Sequence, residues 1–226
     1  MTPHPMPDLE FEIPLWNSGL FRVVGLDEAG RGAWAGPVSA GAVMLPPDPE
    51  ILHRLERVRD SKLMTARQRA AQAERIQCEA AAWGVGMAGQ DEIDRLGIIR
   101  ATRLAMQRAL EAAGFQPDHL LVDALRLPDL HCPQTPIIKG DQRCLSIAAA
   151  SVLAKTARDR WMTAQDEYYP GYGFARHKGY GTAQHQQALK DLGLCRLHRC
   201  SYAPLRALLP TPLEVESAAA RPEDGR

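Results

Sequence analysis

Apolar and polar positions along this chain follow two periods, one of strands and one of helices. Residues 20–26 are short, apolar and β-prone, predicting a buried strand that ends where two acids begin. Residues 37–45 (PVSAGAVML) predict a second strand, close enough to pair antiparallel across a glycine-rich connection, with Pro46, Pro47 and Pro49 closing it off. Further short strands are expected at 83–88, at 120–122 ending in Asp123, and at 136–138 ending in Lys139-Gly140-Asp141. Helical spacing predicts a short helix at 52–59, one from Thr65 as N-cap to Trp83, and one over 91–113 that breaks near Gly97 and stops at Gly114. The strongest helix is 144–169, where Ile147, Ala150, Ala154, Ala157 and Trp161 recur at i, i+3/i+4 and small residues let it lie close to a sheet. A glycine- and aromatic-rich loop over 170–181 precedes a helix at 182–192, with one more turn at 205–209. An antiparallel set followed by strands alternating with helices makes this an α/β chain, a mixed central sheet flanked by helices.

Composition changes that picture little. The chain has 226 residues, 45% hydrophobic and 24% charged, enough for one large domain. Residues 1–19 are expected to be a flexible leader, 20–209 the folded domain with a C-terminal helical part, and 210–226 a disordered tail. The start lacks a basic and an apolar region, so no secretory signal is read, and the longest apolar run, 147–154, is too short to span a bilayer. Five cysteines at irregular spacing make no disulfide framework, which places the protein in a reducing cytoplasm. Equal numbers of basic and acidic residues, 27 each, advertise no polyanionic partner, so local charge becomes the test.

Chemistry concentrates where acids meet strand ends: Asp27 and Glu28, Asp123, and Asp141. Strands lie about 4.8 Å apart, so carboxylates at neighbouring ends can converge. Oxygen donors without histidine or cysteine suit hard cations, Mg²⁺ or Mn²⁺. Four of them can hold two ions about 4 Å apart, the arrangement that activates water and neutralises a scissile phosphate. One geometric difficulty stands against this. Successive strand residues point to opposite faces, so Asp27 and Glu28 share a site only if the strand bends or ends there. The plainer alternative is an exposed acidic pair.

The motifs Gly25-Leu26-Asp27-Glu28-Ala29-Gly30-Arg31-Gly32, Asp60-Ser61-Lys62, Val122-Asp123, Lys139-Gly140-Asp141, residues 146–160 (SIAAASVLAKTARDR) and His177-Lys178-Gly179-Tyr180-Gly181-Thr182 resemble bacterial ribonuclease HII, in the right order over residues 20–205. The resemblance implies an RNase H-like fold and a metal-dependent endonuclease. Its substrates would be RNA/DNA hybrids and duplex DNA carrying single ribonucleotides, nicked 5′ of the ribonucleotide to leave a 5′-phosphate and a 3′-hydroxyl. It implies Asp27, Glu28, Asp123 and Asp141 as catalytic metal ligands for Mn²⁺ or Mg²⁺, with two ions when substrate is bound. Gly30, Arg31 and Gly32 would sense the 2′-hydroxyl, and Tyr180 would pack on the sugar 3′ of the junction. The 2′-hydroxyl is what separates RNA from DNA at one position, and glycines let a backbone approach it. Ribonucleotide and primer removal, a monomer and no membrane partner complete the expectation. Two departures stand out: Ala124 follows Asp123 where glycine is usual, and Ala33-Trp34 follows the glycines where proline-leucine is more typical.

Residues 139–178 hold seven Lys/Arg against four acids, a modest phosphate-tracking patch. Lys62, His177 and Lys178 are the phosphate candidates, while Arg158 and Arg160 fit a solvated helix face equally well. The sister type III ribonuclease H usually carries an N-terminal binding domain, for which about 19 leader residues leave no room, and its motif lacks the Gly-Arg-Gly. Intact acids count against a non-catalytic hybrid-binding module. The G-x-G-x-x-G at 84–89 lies within an expected strand rather than between strand and helix, so it is no dinucleotide fingerprint. Cys195, His198 and Cys200 lack a fourth zinc ligand, Asp91, Glu92 and Asp94 suit a helix first turn, and the tail shows no clamp-binding motif.

Overall fold

The computed structural model of the chain describes residues 6–209. Its strands are β1 (Val23–Ala29), β2 (Val38–Met44), β3 (Ala82–Ala88), β4 (His119–Asp123) and β5 (Gln134–Ile137). They form one sheet in the order β3-β2-β1-β4-β5. The β1–β2 and β2–β3 pairs are antiparallel, the β1–β4 and β4–β5 pairs parallel. The helices are α1 (Glu12–Asn17), α2 (Ile51–Arg54), α3 (Ala66–Glu79), α4 (Gln90–Leu96), α5 (Ile98–Ala113), α6 (Leu145–Tyr168), α7 (Phe174–His177), α8 (Ala183–Leu192) and α9 (Ala203–Arg206).

The sheet is buried on both faces. On one, Val23, Val43, Leu121 and Ile137 pack against Ile147, Ala148 and Val152 of α6. On the other, Val24, Leu26, Ala40, Ala42 and Val122 meet Ala101, Ala105, Met106 and Ala109 of α5. The small residues of α6 do what their size allows: a Cβ on Gly25 would lie 2.2 Å from the Ser146 carbonyl carbon, and one on Gly41 2.3 Å from the Ala150 oxygen. Helix and sheet backbones therefore touch. Thr65 closes a capping box with Gln68 at the start of α3, and Gly97 and Gly114 turn the chain at φ 76° and 77° at the two ends of α5.

Several expected elements differ. The leader is not loose from residue 6 onward: Leu9 and Trp16 are buried, and Glu12 is 1% exposed. Its carboxylate accepts from Ser146 N–H at 2.9 Å and Ser146 Oγ at 2.7 Å, so α1 supplies the N-terminal cap that Cys144 does not give α6. The tail at 210–226 lies outside the described residues. Only the first turn of the expected 52–59 helix forms. β1 does not stop at the acids but runs through them to Ala29, with Asp27 opposite Gly41 and Glu28 opposite Ala40. β5 ends at Ile137, and Asp141 sits in a single 3₁₀ turn, Gly140–Gln142, that leads into α6.

Candidate active site

Strand alternation settles where the acids point. Gly41 abuts α6, so its partner Asp27 faces α6; Ala40 belongs to the α5 face, so Glu28 leaves the strand on that side. β1 ends one residue later, at Ala29, and Glu28 stays within electrostatic reach of Asp27, Asp123 and Lys62, so the two acids border one site from opposite sides of the strand end. Asp123 joins Asp27 instead: the parallel register pairs Leu26 with Val122, so the next residues, Asp27 and Asp123, stand side by side on the α6 face. The turn before α6 brings in Asp141, 4% exposed, whose Oδ2 lies 3.5 Å from Lys62 Nζ.

Each carboxylate is held individually. Asp27 accepts from the Glu28 N–H at 2.7 Å, and the nearby Ser151 hydroxyl on α6 favours its charged form. Ser151 in turn shares a 2.9 Å hydrogen bond with Ser61 of the Asp60-Ser61-Lys62 motif. Glu28 Oε1 accepts from Arg31 at 3.1 Å, while its Oε2 is buried without a partner. Gly140 N–H donates to Asp123 Oδ1 at 2.8 Å. Asp60, 5% exposed, is a fifth acid beside this group; it caps Lys62 N–H at 2.9 Å and accepts from Gln142 at 3.3 Å.

The electrostatics reflect acids crowded without enough cations. Burial, then the charges of Glu28 and Asp123, raise Asp27 well above the usual carboxylate range. Burial also raises Glu28, opposed by Arg31, and raises Asp141, where Asp60 adds to the effect and Lys62 opposes it. Burial alone would lower Lys62, but Asp141, Asp60 and Asp27 together raise it. Among the described residues no three acids, histidines or cysteines form a ready ligand cage. The chemistry of the donors nevertheless fits a hard divalent cation: all are oxygen, they repel one another, and the Glu28 Oε2 atom has no other use in the fold.

The Gly30-Arg31-Gly32 turn is held by two fully buried arginines. Arg158 of α6 donates to the carbonyls of Pro37 at 2.7 Å, Lys178 at 2.9 Å and Ala35 at 3.0 Å. Arg199 donates to Gly36 at 2.9 Å and Arg31 at 2.9 Å. Gly30, at φ 93°, lies so close over Arg158 that a Cβ would come 2.0 Å from its Nε, whereas a Cβ on Gly32 would meet nothing within 4 Å. Trp34 and Ala35 N–H groups both bond the Gly179 carbonyl, at 2.8 and 3.2 Å, fastening this turn to the 177–182 loop. Arg158 is therefore a strut inside the protein and not a phosphate contact.

Tyr180 is half-buried, with Lys155 Nζ 5.2 Å and the Arg158 guanidinium 5.4 Å from its ring centre. It borders a cleft of about 820 Å³ that also takes in Arg69, Arg160, Arg176 and Lys178. Lys178 Nζ is engaged with Thr163 Oγ1 at 2.8 Å and with the Ala175 carbonyl. His177 shows only its edge at the cleft wall. It is 8% exposed, with Nε2 on the Tyr172 carbonyl at 2.7 Å and Nδ1 accepting from Gly179 N–H at 3.1 Å, so the expectation that it touches substrate is corrected to loop support. Sequence reasoning passed over Ser151, Asp60 as a neighbour of Asp141, and Arg199. The first two lie inside the motifs that carry the family resemblance; nothing in the spacing of Arg199 marks it.

A mixed sheet in this order, with paired acids where antiparallel β1 meets parallel β4, has the architecture of the RNase H fold. The sequence profile described as Ribonuclease HII matches residues 24–204. Ribonuclease HII of Anaeromyxobacter sp. is 51% identical over 216 residues, which cover 95% of this chain and 67% of the relative. Of solved structures, ribonuclease H2 from Pyrococcus horikoshii superposes with a TM-score of 0.68 at 24% identity, covering 82% of this chain and 96% of that one. Bst-RNase HIII in complex with Mn²⁺ does so with a TM-score of 0.64 at 16% identity, covering 93% and 75%. The two structural likenesses establish the fold. The chain belongs to the ribonuclease HII family, endoribonucleases that cleave the RNA of RNA/DNA hybrids and ribonucleotides embedded in DNA.

Proposed function

We propose that Asp27, Glu28, Asp123 and Asp141 carry the hydrolysis and that the Gly30–Gly32 turn and Tyr180 select the ribose-to-deoxyribose junction. The observation that carries this is the adjacency of Asp27 and Asp123 on the α6 face, with Asp141 arriving through its own turn. These carboxylates would hold Mn²⁺ or Mg²⁺, two ions with substrate bound; Bst-RNase HIII with Mn²⁺ supports the kind of ion. Such ions supply an activated water and neutralise charge on the phosphate and leaving oxygen.

The chain's own groups do the rest. The Glu28 N–H fixes the Asp27 carboxylate, with the Ser151 hydroxyl favouring its charged form, and Gly140 N–H fixes Asp123. Lys62, its side chain 78% exposed beside Asp141, is placed to take a phosphate oxygen next to the reacting one. The open space over Gly32 lets backbone groups meet a 2′-hydroxyl, and Arg31, 38% exposed, reaches the adjoining phosphate. A ring at Tyr180, steadied by Lys155 and Arg158, favours a sugar without a 2′-hydroxyl beneath it. Lys178 contributes from the cleft wall. The products are a 5′-phosphate and a 3′-hydroxyl, and the role is removal of ribonucleotides and primers from DNA. The protein acts as a monomer in the cytoplasm. No described helix is long and apolar enough to cross a membrane, and the five cysteines are free, as a reducing compartment would leave them.

The test uses three labelled duplexes: an RNA/DNA hybrid, DNA with one internal ribonucleotide, and all-DNA. With Mn²⁺ or Mg²⁺ the first two are cut and the third is not; EDTA stops both reactions. Asp27→Asn removes cleavage, by at least about 10³-fold for loss of such an electrostatic contact, and retains duplex binding. Cleavage by Asp27→Asn at the wild-type rate would remove this residue from the chemistry.

A further inference from the structure

Segment 195–199 touches both substrate-reading loops. His198 bridges Ala35 in antiparallel fashion, Leu197 carbonyl accepts from Gly36 N–H at 2.8 Å, and Arg199 N–H donates to the Trp34 carbonyl at 2.8 Å. The Arg199 guanidinium then bonds the carbonyls of Arg31 and Gly36, both at 2.9 Å. On its other side His198 Nε2 lies 3.0 Å from His185 Nε2, and His185 Nδ1 lies 3.0 Å from the Tyr180 carbonyl.

The proton positions along this chain of bonds follow from what each partner can do. A carbonyl only accepts, so His185 carries its proton on Nδ1 and presents a bare Nε2. His198 must then donate from Nε2, which leaves its Nδ1 bare to accept the Cys195 N–H at 2.8 Å. Each ring is then neutral, and this arrangement serves every neighbour except the Cys195 carbonyl, which lies 3.1 Å from the same His198 Nδ1. His185 is 0% and His198 2% exposed; His198 packs on Tyr172 and Phe174, and His185 on Phe174, Trp34 and His177. Neither meets solvent, and neither belongs to the acid site. Burial keeps His185 neutral, pushing it down to about 4.

We propose that Arg199 and, through His185, His198 form a clasp that sets the placement of Tyr180 relative to the Gly30–Gly32 turn and so determines junction selectivity. They are positioning residues. Arg199 holds the turn that meets the ribose, His198 holds the loop that meets the next sugar, and one peptide unit fixes their separation. This rests on the junction-reading roles given above to Arg31 and Tyr180.

The experiment measures the ratio of kcat/KM on a single-ribonucleotide duplex to that on an RNA/DNA hybrid, for full-length protein below its measured melting temperature. His198→Leu keeps apolar bulk and removes the donor to His185; it is expected to lower the ratio about tenfold. His198→Gln retains a donor at the same reach and is expected to restore most of it. Combining His198→Leu with Tyr180→Ala should lower the ratio no further than Tyr180→Ala alone, because the clasp acts through that ring. A parallel fall on both substrates with the ratio unchanged, or additive effects of the two substitutions, would overturn the clasp while leaving Tyr180 as a reader. An unchanged ratio in Tyr180→Ala and Arg31→Ala would remove the reading it rests on, and the clasp with it. If His198→Leu does not fold, His198→Gln alone decides: a tenfold fall there also overturns the donor-based account.

Discussion

Gly30 and Gly32 are bare for different reasons, and the difference is measurable. Gly30 has φ 93° and Arg158 directly beneath it, so a methyl group there displaces a buried strut; Gly32 has neither constraint. Gly30→Ala is expected to cost about 1–3 kcal/mol of stability from overpacking and positive φ together. Gly32→Ala should leave the melting temperature within a degree and still weaken cleavage at a ribonucleotide. Equal melting losses in both variants would contradict the assignment of Gly32 to substrate. Ala124 is the converse case, a residue with a side chain held at φ 50° next to Asp123. Ala124→Gly should relieve about 1 kcal/mol, a rise of roughly 2–4 °C in a chain of this size; a melting temperature below wild type would show that the rest of the loop has adapted to alanine. At this scale the acids were legible because apolar runs ended at or near them. Ser151, Arg158 and Arg199 were not, because a buried serine or arginine looks like surface chemistry until its partners, tens to more than a hundred residues away, are known.

Elements explain how distant residues are brought into line. On α6, Ser151 meets Asp27, Lys155 meets the Tyr180 ring, and Arg158 meets the carbonyls of the Gly30–Pro37 turn. Spacings of four and three put these on one helix face, one turn apart. The length, end and small-residue face of this helix could be read from sequence, but not that its start is capped by Glu12 across 134 positions. The extent of β1 was misjudged for a related reason. Asp27 and Glu28 look like a strand terminus by propensity, yet β2 supplies ladder partners for both, and pairing overrides propensity. The packing of α7, α8 and segment 195–199 makes a claim about pH. His185 titrates near 6.5 when unfolded and at about 4 when folded. Between those values the unfolded chain binds more protons, so its contribution is whole above pH 6.5 and is lost as pH falls towards 4. The expected loss is on the order of 3 kcal/mol. Denaturant melts at pH 7 and pH 4.5, compared between wild type and His185→Gln, isolate it from the acids, whose raised values act in the opposite sense; identical pH dependence in the two proteins would contradict a buried neutral His185.

For the molecule as a whole, zero net charge and a nucleic-acid substrate are compatible because charge is arranged locally. The cleft beside Tyr180 gathers Arg69, Lys155, Arg160, Arg176 and Lys178 against Asp159 and Glu167. Asp159 already binds Arg69 at 3.1 Å and Lys155 at 2.7 Å, which holds the attraction to moderate strength and suits an enzyme that must release a nicked duplex. Architecture was the most legible level, since the change from antiparallel pairing to alternating strands and helices is written in element order. The joining of two reading loops by a C-terminal segment was the least legible, since it depends on backbone carbonyls that any residue type provides. The central claim is that one end of this sheet cuts and the neighbouring loops ask for a ribose followed by a deoxyribose. The most direct measurement is to map both ends of the nick in duplex DNA carrying one ribonucleotide, with Mn²⁺ or Mg²⁺. The account predicts a single cut 5′ of the ribonucleotide, leaving it with a 5′-phosphate opposite a 3′-hydroxyl. No cut with either metal, a cut on its 3′ side, or equal cutting of the all-DNA control would contradict it.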